Sequence, residues 1–94
     1  MKMRYGNEIY DVHVEVHNKQ YLFVTKNHEP FMKINIPNLD KSHDILAIKN
    51  YSENEGLLHL LKKKGVVIEQ VGEIEPGFVT IPLVKIDIQK LMSL

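Results

Sequence analysis

From Ile9 to His17 the chain alternates, with Tyr10, Val12, Val14 and Val16 on one face of an extended segment and Asp11, His13, Glu15 and His17 on the other. Side chains along a strand point to opposite faces in turn, so this period of two predicts a half-buried strand. A short strand at Met3–Tyr5 and a Gly6-Asn7 turn precede it. Asn18-Lys19 reads as a hairpin turn, and Gln20–Lys26, dense in aromatic and branched residues, as the returning strand. Asn27-His28-Glu29-Pro30 ends that strand with turn chemistry. In the third strand, Phe31–Ile36, the inward set is Met32, Ile34 and Ile36, and Pro37 stops ladder growth because proline has no amide donor. Asp44–Lys49 is apolar enough for a central strand.

The period changes after Asn50. Ser52 followed three residues later by Glu55 is a capping-box pattern, which predicts a helix beginning at Glu53 and running about twelve residues. Glu53 and Glu55 sit at its positive end, Lys62, Lys63 and Lys64 at its negative end, and Gly65 supplies a left-handed residue past the terminus. Leu57, Leu58 and Leu61, with Leu60 at the margin, form the stripe that must cover a sheet. Val66-Val67-Ile68 starts another strand, Gly72, Pro76 and Gly77 delimit an irregular connection, and Phe78–Ile88 reads as extended throughout. Pro82 within that run implies an edge strand, a bulge, or a bond facing away from its neighbour. The expected order is β-β-β-β-α-β-β, an α+β fold in which an antiparallel sheet is covered on one face by a single helix.

Composition narrows the function classes. At 94 residues the chain suits a single domain, and 44% hydrophobic with 26% charged residues is the balance of a folded protein. Twelve basic and twelve acidic residues cancel, six of each in residues 1–47 and six of each in 48–94. That balance argues against DNA wrapping, which needs a basic footprint, and against mimicry of DNA by rows of carboxylates. Arg4 is the one arginine, so a phosphate site would rely on lysines and backbone amides. Without cysteine there is no disulfide, thiolate metal site or cysteine nucleophile. The polar start at Lys2, Arg4, Asn7 and Glu8 does not resemble a secretion signal, and no 18 consecutive apolar residues occur, so the expectation is a cytoplasmic protein away from the membrane.

Candidate chemistry is thin. His13, Glu15 and His17 share a strand face with Asp11, but residues two apart stand roughly 6.5–7 Å from each other and His13 and His17 about 13 Å, too far for one tetrahedral ion without ligands from elsewhere. The preferred reading is a solvated polar face, with partner binding as its functional alternative and no metal or other cofactor. Ser42-His43-Asp44 holds the letters of a hydrolase triad, yet consecutive side chains do not generally converge in that order. The glycines form neither a P-loop nor a dinucleotide fingerprint. Lys62-Lys63-Lys64 fits dipole complementarity and solvation better than phosphate binding, and Tyr10, Tyr21 and Tyr51 fit core rims better than stacking platforms.

Three segments, Tyr5–Val12, Lys49–Leu57 and Gly77–Leu83, together with the Glu29-Pro30-Phe31 turn, resemble a family of small, largely uncharacterised proteins carried by phages, plasmids and other mobile elements of Firmicutes. These motifs are structural and bring no catalytic residues with them. The resemblance implies an anti-defence accessory protein that binds and blocks a host defence component, such as a CRISPR effector, or a sponge for a defence signalling nucleotide.

The leading expectation is therefore a non-enzymatic inhibitor of a host protein, with Asp11, His13, Glu15 and His17, or Tyr51, Glu53 and Glu55, as its contact surface. The alternative sponge would hold its ligand at a subunit interface lined by lysines, Arg4 and tyrosines, because so small a monomer has little room for a deep pocket. An enzyme using His with Asp or Glu as acid and base ranks below both. The last strand and tail, from Ile81 to Leu94, hold more apolar residues than one helix covers, which points to a homodimer.

Overall fold

The computed structural model describes residues 1–94 apart from the side chain of Glu53. It is an α+β structure of eight strands in three antiparallel sheets with two short helices. β1 (Lys2–Tyr5) and β2 (Glu8–Asp11) pair in one sheet. The second holds β3 (His13–His17), β4 (Tyr21–Lys26) and β5 (Glu29–Lys33), in that order. β6 (Ile45–Ala47), β7 (Val67–Ile74) and β8 (Ile81–Ile86) form the third, with β8 in the centre. The helices are α1 (Leu57–Lys63) and α2 (Ile88–Met92).

The alternating segment 9–17 is thus two strands joined at Val12. Val12 donates its N–H to the Met1 carbonyl at 2.8 Å and accepts from the Met1 amine at 2.7 Å, so the chain terminus takes up both of its backbone groups. With its side chain fully buried, Val12 becomes the joint where the chain leaves one sheet for the next. Asn18 and Lys19 both adopt positive φ in the β3–β4 turn, and Asn27 and His28 do so in the two-residue β4–β5 turn, the geometry that matches strand twist.

The helix expected from Glu53 begins at Leu57. Ser52 has a φ of 57° and opens a short 3-10 turn, Ser52–Asn54, so it cannot act as an extended N-cap. Asn50 is used instead, its Oδ1 accepting from the Leu58 N–H at 2.8 Å. Gly65 takes the left-handed conformation as expected, with φ 74°. The single covering helix is likewise corrected to two, because the tail folds as α2 with Asp87 as its cap, Oδ1 accepting from Lys90 N–H at 3.1 Å.

Pro82 lies in a central strand, not at an edge. Its carbonyl accepts from Ile48 N–H at 3.0 Å, on the β6 side, and in an antiparallel strand a residue's N and O face the same neighbour. β6 ends at Ala47, opposite Leu83, so the donor that Pro82 lacks faces the end of that ladder and takes nothing from the β7–β8 pairing. β7 continues to Ile74, through the stretch expected to be irregular.

One core joins the three sheets and both helices: Met3 from β1, Val14, Leu22, Val24 and Met32 from the second sheet, Leu46, Val84 and Ile86 from the third, Leu57 and Leu61 from α1, and Leu91 from α2. Ala47, Ile81 and Leu83 form a smaller cluster with half-buried Tyr51 against it. Of the apolar residues of the tail, Leu91 is buried, and Ile88, Met92 and Leu94 are half-buried against the main core. No helix among the described residues is long and apolar enough to cross a membrane.

Candidate functional site

The polar face of the second sheet centres on Glu15. Its Oε2 accepts from Thr25 Oγ1 at 2.9 Å and meets His28 Nδ1 at 2.9 Å, while Oε1 lies 3.8 Å from His17 Nε2. The Thr25 hydroxyl, then His28 and the charge of His17 hold the Glu15 carboxyl below its ordinary value against the effect of desolvation. Cross-strand register builds this cluster, because His17 faces Tyr21, Glu15 faces Phe23 and His13 faces Thr25. The His17 ring stands 5.1 Å from Phe23 in an edge contact, and Lys33 Nζ sits 4.8 Å over the Tyr21 ring.

The sequence-derived contact residues do not form one surface. Glu15 and His17 meet, and His13 is an exposed neighbour on the same strand. Asp11 belongs to the first sheet, where it lies 3.7 Å from Lys2 Nζ and 3.8 Å from the terminal amine. Tyr51 is half-buried against the smaller cluster, Glu55 is exposed beside α1, and the side chain of Glu53 lies outside the described residues. Thr25 and His28, which complete the Glu15 cluster, are visible only once the register is known. Among the described residues no group of three His, Asp or Glu side chains is placed to hold a metal. In Ser42-His43-Asp44 the Ser42 hydroxyl donates directly to Asp44 Oδ1 at 2.8 Å, which lowers the pKa of that carboxyl and bypasses the histidine.

The cavities among the described residues include two that open on the surface. One, of about 420 Å³, has an apolar floor of Val16, Leu22, Leu46 and Ile88, with Asp40 and His43 in its wall. Asp40 is held by buried Asn35, whose Nδ2 donates to Asp40 Oδ2 at 2.7 Å, and by Ala47 N–H, which donates to Oδ1 at 2.7 Å. Burial still wins over those two bonds and pushes the Asp40 carboxyl above its ordinary value. The other cavity, of about 510 Å³, lies between β1 and the segment from Asn54 through α1, and is lined by Lys2, Arg4, Lys63 and Lys64 with Asn54 and Glu55.

The third feature is the β7–β8 hairpin. β7 is one of the two outer strands of its sheet, and Ile68 and Val71 are the extra residues of two bulges, 59% and 45% exposed. At the far end Phe78 stands fully exposed in the connecting loop. Comparison with family models, curated proteins and solved structures found no match.

Proposed function

We propose that this chain is a non-enzymatic binding protein that docks on a host protein through the β7–β8 hairpin and blocks it. The observation that carries this reading is Phe78: a fully exposed aromatic ring at a hairpin tip loses apolar hydration only when a partner supplies a socket. Ile68 and Val71 extend the exposed apolar surface along the strand edge.

Charge selects the kind of partner. Residues 67–86 contain Glu69, Glu73 and Glu75 against a single basic residue, Lys85, which lies opposite Glu69, so a whole-chain neutral protein presents a hairpin that is acidic toward its tip. Its electrostatic complement is a basic protein surface, the surface a nucleic-acid-handling effector uses for its own substrate. Occupying that surface would inhibit by competition, in keeping with the anti-defence role that the mobile-element resemblance implies. This reading moves the contact surface from the β3 face to the hairpin.

The test is capture from a Firmicute host lysate on immobilised wild type, Phe78→Ser and Glu73→Lys/Glu75→Lys in parallel. The expected result is one nucleic-acid-binding protein retained stoichiometrically by wild type and lost from both variants, with retention weakening as salt rises. Retention unaffected by either variant, or no stoichiometric partner at all, would overturn the proposal. If sedimentation at tens of micromolar gives two chains for wild type and one for Phe78→Ser, the hairpin docks a second copy and the host-protein reading falls.

A further inference from the structure

The tip of the β7–β8 hairpin is tied to the smaller of the two apolar clusters. Ile74 and Ile81 are the last residues paired before the loop, and Ile81 is buried in that cluster with Ala47 and Leu83. Exposure then alternates back from Ile81: Thr80 is exposed, Val79 half-buried and Phe78 exposed. Val79 packs on the cluster from one arm of the loop and Ile74 from the other, so both arms are anchored. Across the mouth of the loop the Thr80 hydroxyl donates to Glu75 Oε1 at 3.5 Å.

Consecutive Cα atoms stand about 3.8 Å apart, so a seat for Val79 fixes where the backbone of Phe78 lies. With the side chain of Val79 turned to the cluster, the neighbouring ring is left in solvent. Gly77, on the other side of Phe78, adds no special conformation. Its φ is not positive, and a Cβ placed there would meet nothing within 4 Å, so an alanine fits the same loop.

We infer that Val79 is the positioning residue of the docking surface: seated on the smaller cluster, it presents Phe78 in the conformation a partner engages, and docking requires no folding of the loop. Its consequence for affinity rests on the docking reading above, whereas the order of the tip is a property of the free chain. A tip ordered before contact loses little conformational freedom on binding, and a tip released from its seat presents Phe78 correctly for only a fraction of the time. Loss of the seat therefore slows association by that fraction and leaves dissociation of the completed complex unchanged. Loss of a side chain that touches the partner acts instead on dissociation.

The experiment is amide NMR relaxation on the free full chain as wild type, Val79→Ser, Val79→Ile and Gly77→Ala. Surface plasmon resonance of each follows, against the protein that wild type retains from the host lysate, with Phe78→Ser as the control. The expected order parameter at Phe78 is about 0.8 in wild type, Val79→Ile and Gly77→Ala and below about 0.6 in Val79→Ser, with α1 unchanged. Val79→Ser should associate at least about fivefold more slowly and dissociate at the wild-type rate, while Val79→Ile and Gly77→Ala match wild type within about twofold. A wild-type order parameter below about 0.6 at Phe78, or one that Val79→Ser leaves unchanged, would overturn the positioning role whatever the partner does. Faster dissociation of Val79→Ser would make Val79 a contact residue and overturn it too. So would a Gly77→Ala chain weakened about fivefold, because docking would then need a flexible tip. Retention of the partner by Phe78→Ser would strike the docking reading alone, and the order of the tip would still be decided by the relaxation data.

Discussion

Replacing Asn35 should remove the polar joint that ties the second sheet to the loop before β6. The residue is 1% exposed and makes three hydrogen bonds: Oδ1 accepts from Leu22 N–H at 3.0 Å, and Nδ2 donates to the Gln20 carbonyl at 3.1 Å and to Asp40 at 2.7 Å. Two neutral bonds at about 1 kcal/mol each and one to a charged carboxylate at about 1.5–3 kcal/mol give a loss of about 3.5–5 kcal/mol for Asn35→Ala. A chain of this length has a total stability of about 5–14 kcal/mol, so the loss is a large fraction of the whole and the variant should melt well below wild type. At about 4–8 °C per kcal/mol the drop in Tm should be at least about 14 °C, measured by far-UV circular dichroism. Asn35→Asp adds a diagnostic sign. It keeps the acceptor for Leu22 but sets a second carboxylate against Asp40, so the pair must share a proton and its folded pKa rises. Folding then takes up a proton, and the stability of Asn35→Asp should increase as the pH is lowered toward about 4. A Tm drop below about 4 °C for Asn35→Ala, or an Asn35→Asp variant that weakens steadily on acidification, would refute the reasoning.

Other outcomes follow from named contacts. Thr25→Val removes the largest contribution holding the Glu15 carboxyl down, so its pKa should rise toward the ordinary value in a carboxyl NMR titration; an unchanged midpoint would assign the depression to the histidines. Because the folded pKa of Glu15 is depressed, its share of stability is present above the ordinary carboxylate value and is lost as pH falls through the folded one. Glu15→Gln should therefore flatten the acid limb of a stability-against-pH curve. Asn50→Ala should cost about 1 kcal/mol by freeing the Leu58 N–H, while Ser52→Ala should fall within about 0.5 kcal/mol in urea unfolding. The reverse order would restore Ser52 as the cap.

Much of this architecture is legible in short-range pattern. The alternation of Val12 and Val14 with polar neighbours, the Leu57 and Leu61 stripe and the left-handed Gly65 are local signals, and each reappears in the fold. What escaped depends on partners distant in sequence. Val12 ends one strand and begins the next because Met1 folds back on it, and Pro82 is tolerated centrally because β6 ends beside it. The Ser52 pattern was a competing local signal that lost to Asn50, whereas Asp87 three residues before Lys90 was a usable cap signal for α2. The candidate sites were less legible still. Glu15 meets Thr25 and His28 only through strand register, and Arg4 comes to line one cavity with Lys63 and Lys64 only in the folded chain. The hairpin owes its exposure to β7 being an outer strand, which no count of residues in Phe78–Ile88 reveals.

The most direct test of the docking account is displacement. With the protein retained on the wild-type chain, labelled nucleic acid already bound to that protein would be titrated with wild type and with Phe78→Ser. The account predicts release of the label by wild type at one chain per partner, and at least a 30-fold higher concentration needed for Phe78→Ser, the loss of about 2 kcal/mol expected for a central aromatic anchor. A ternary complex in which the label stays bound, or equal release by both chains, would contradict it.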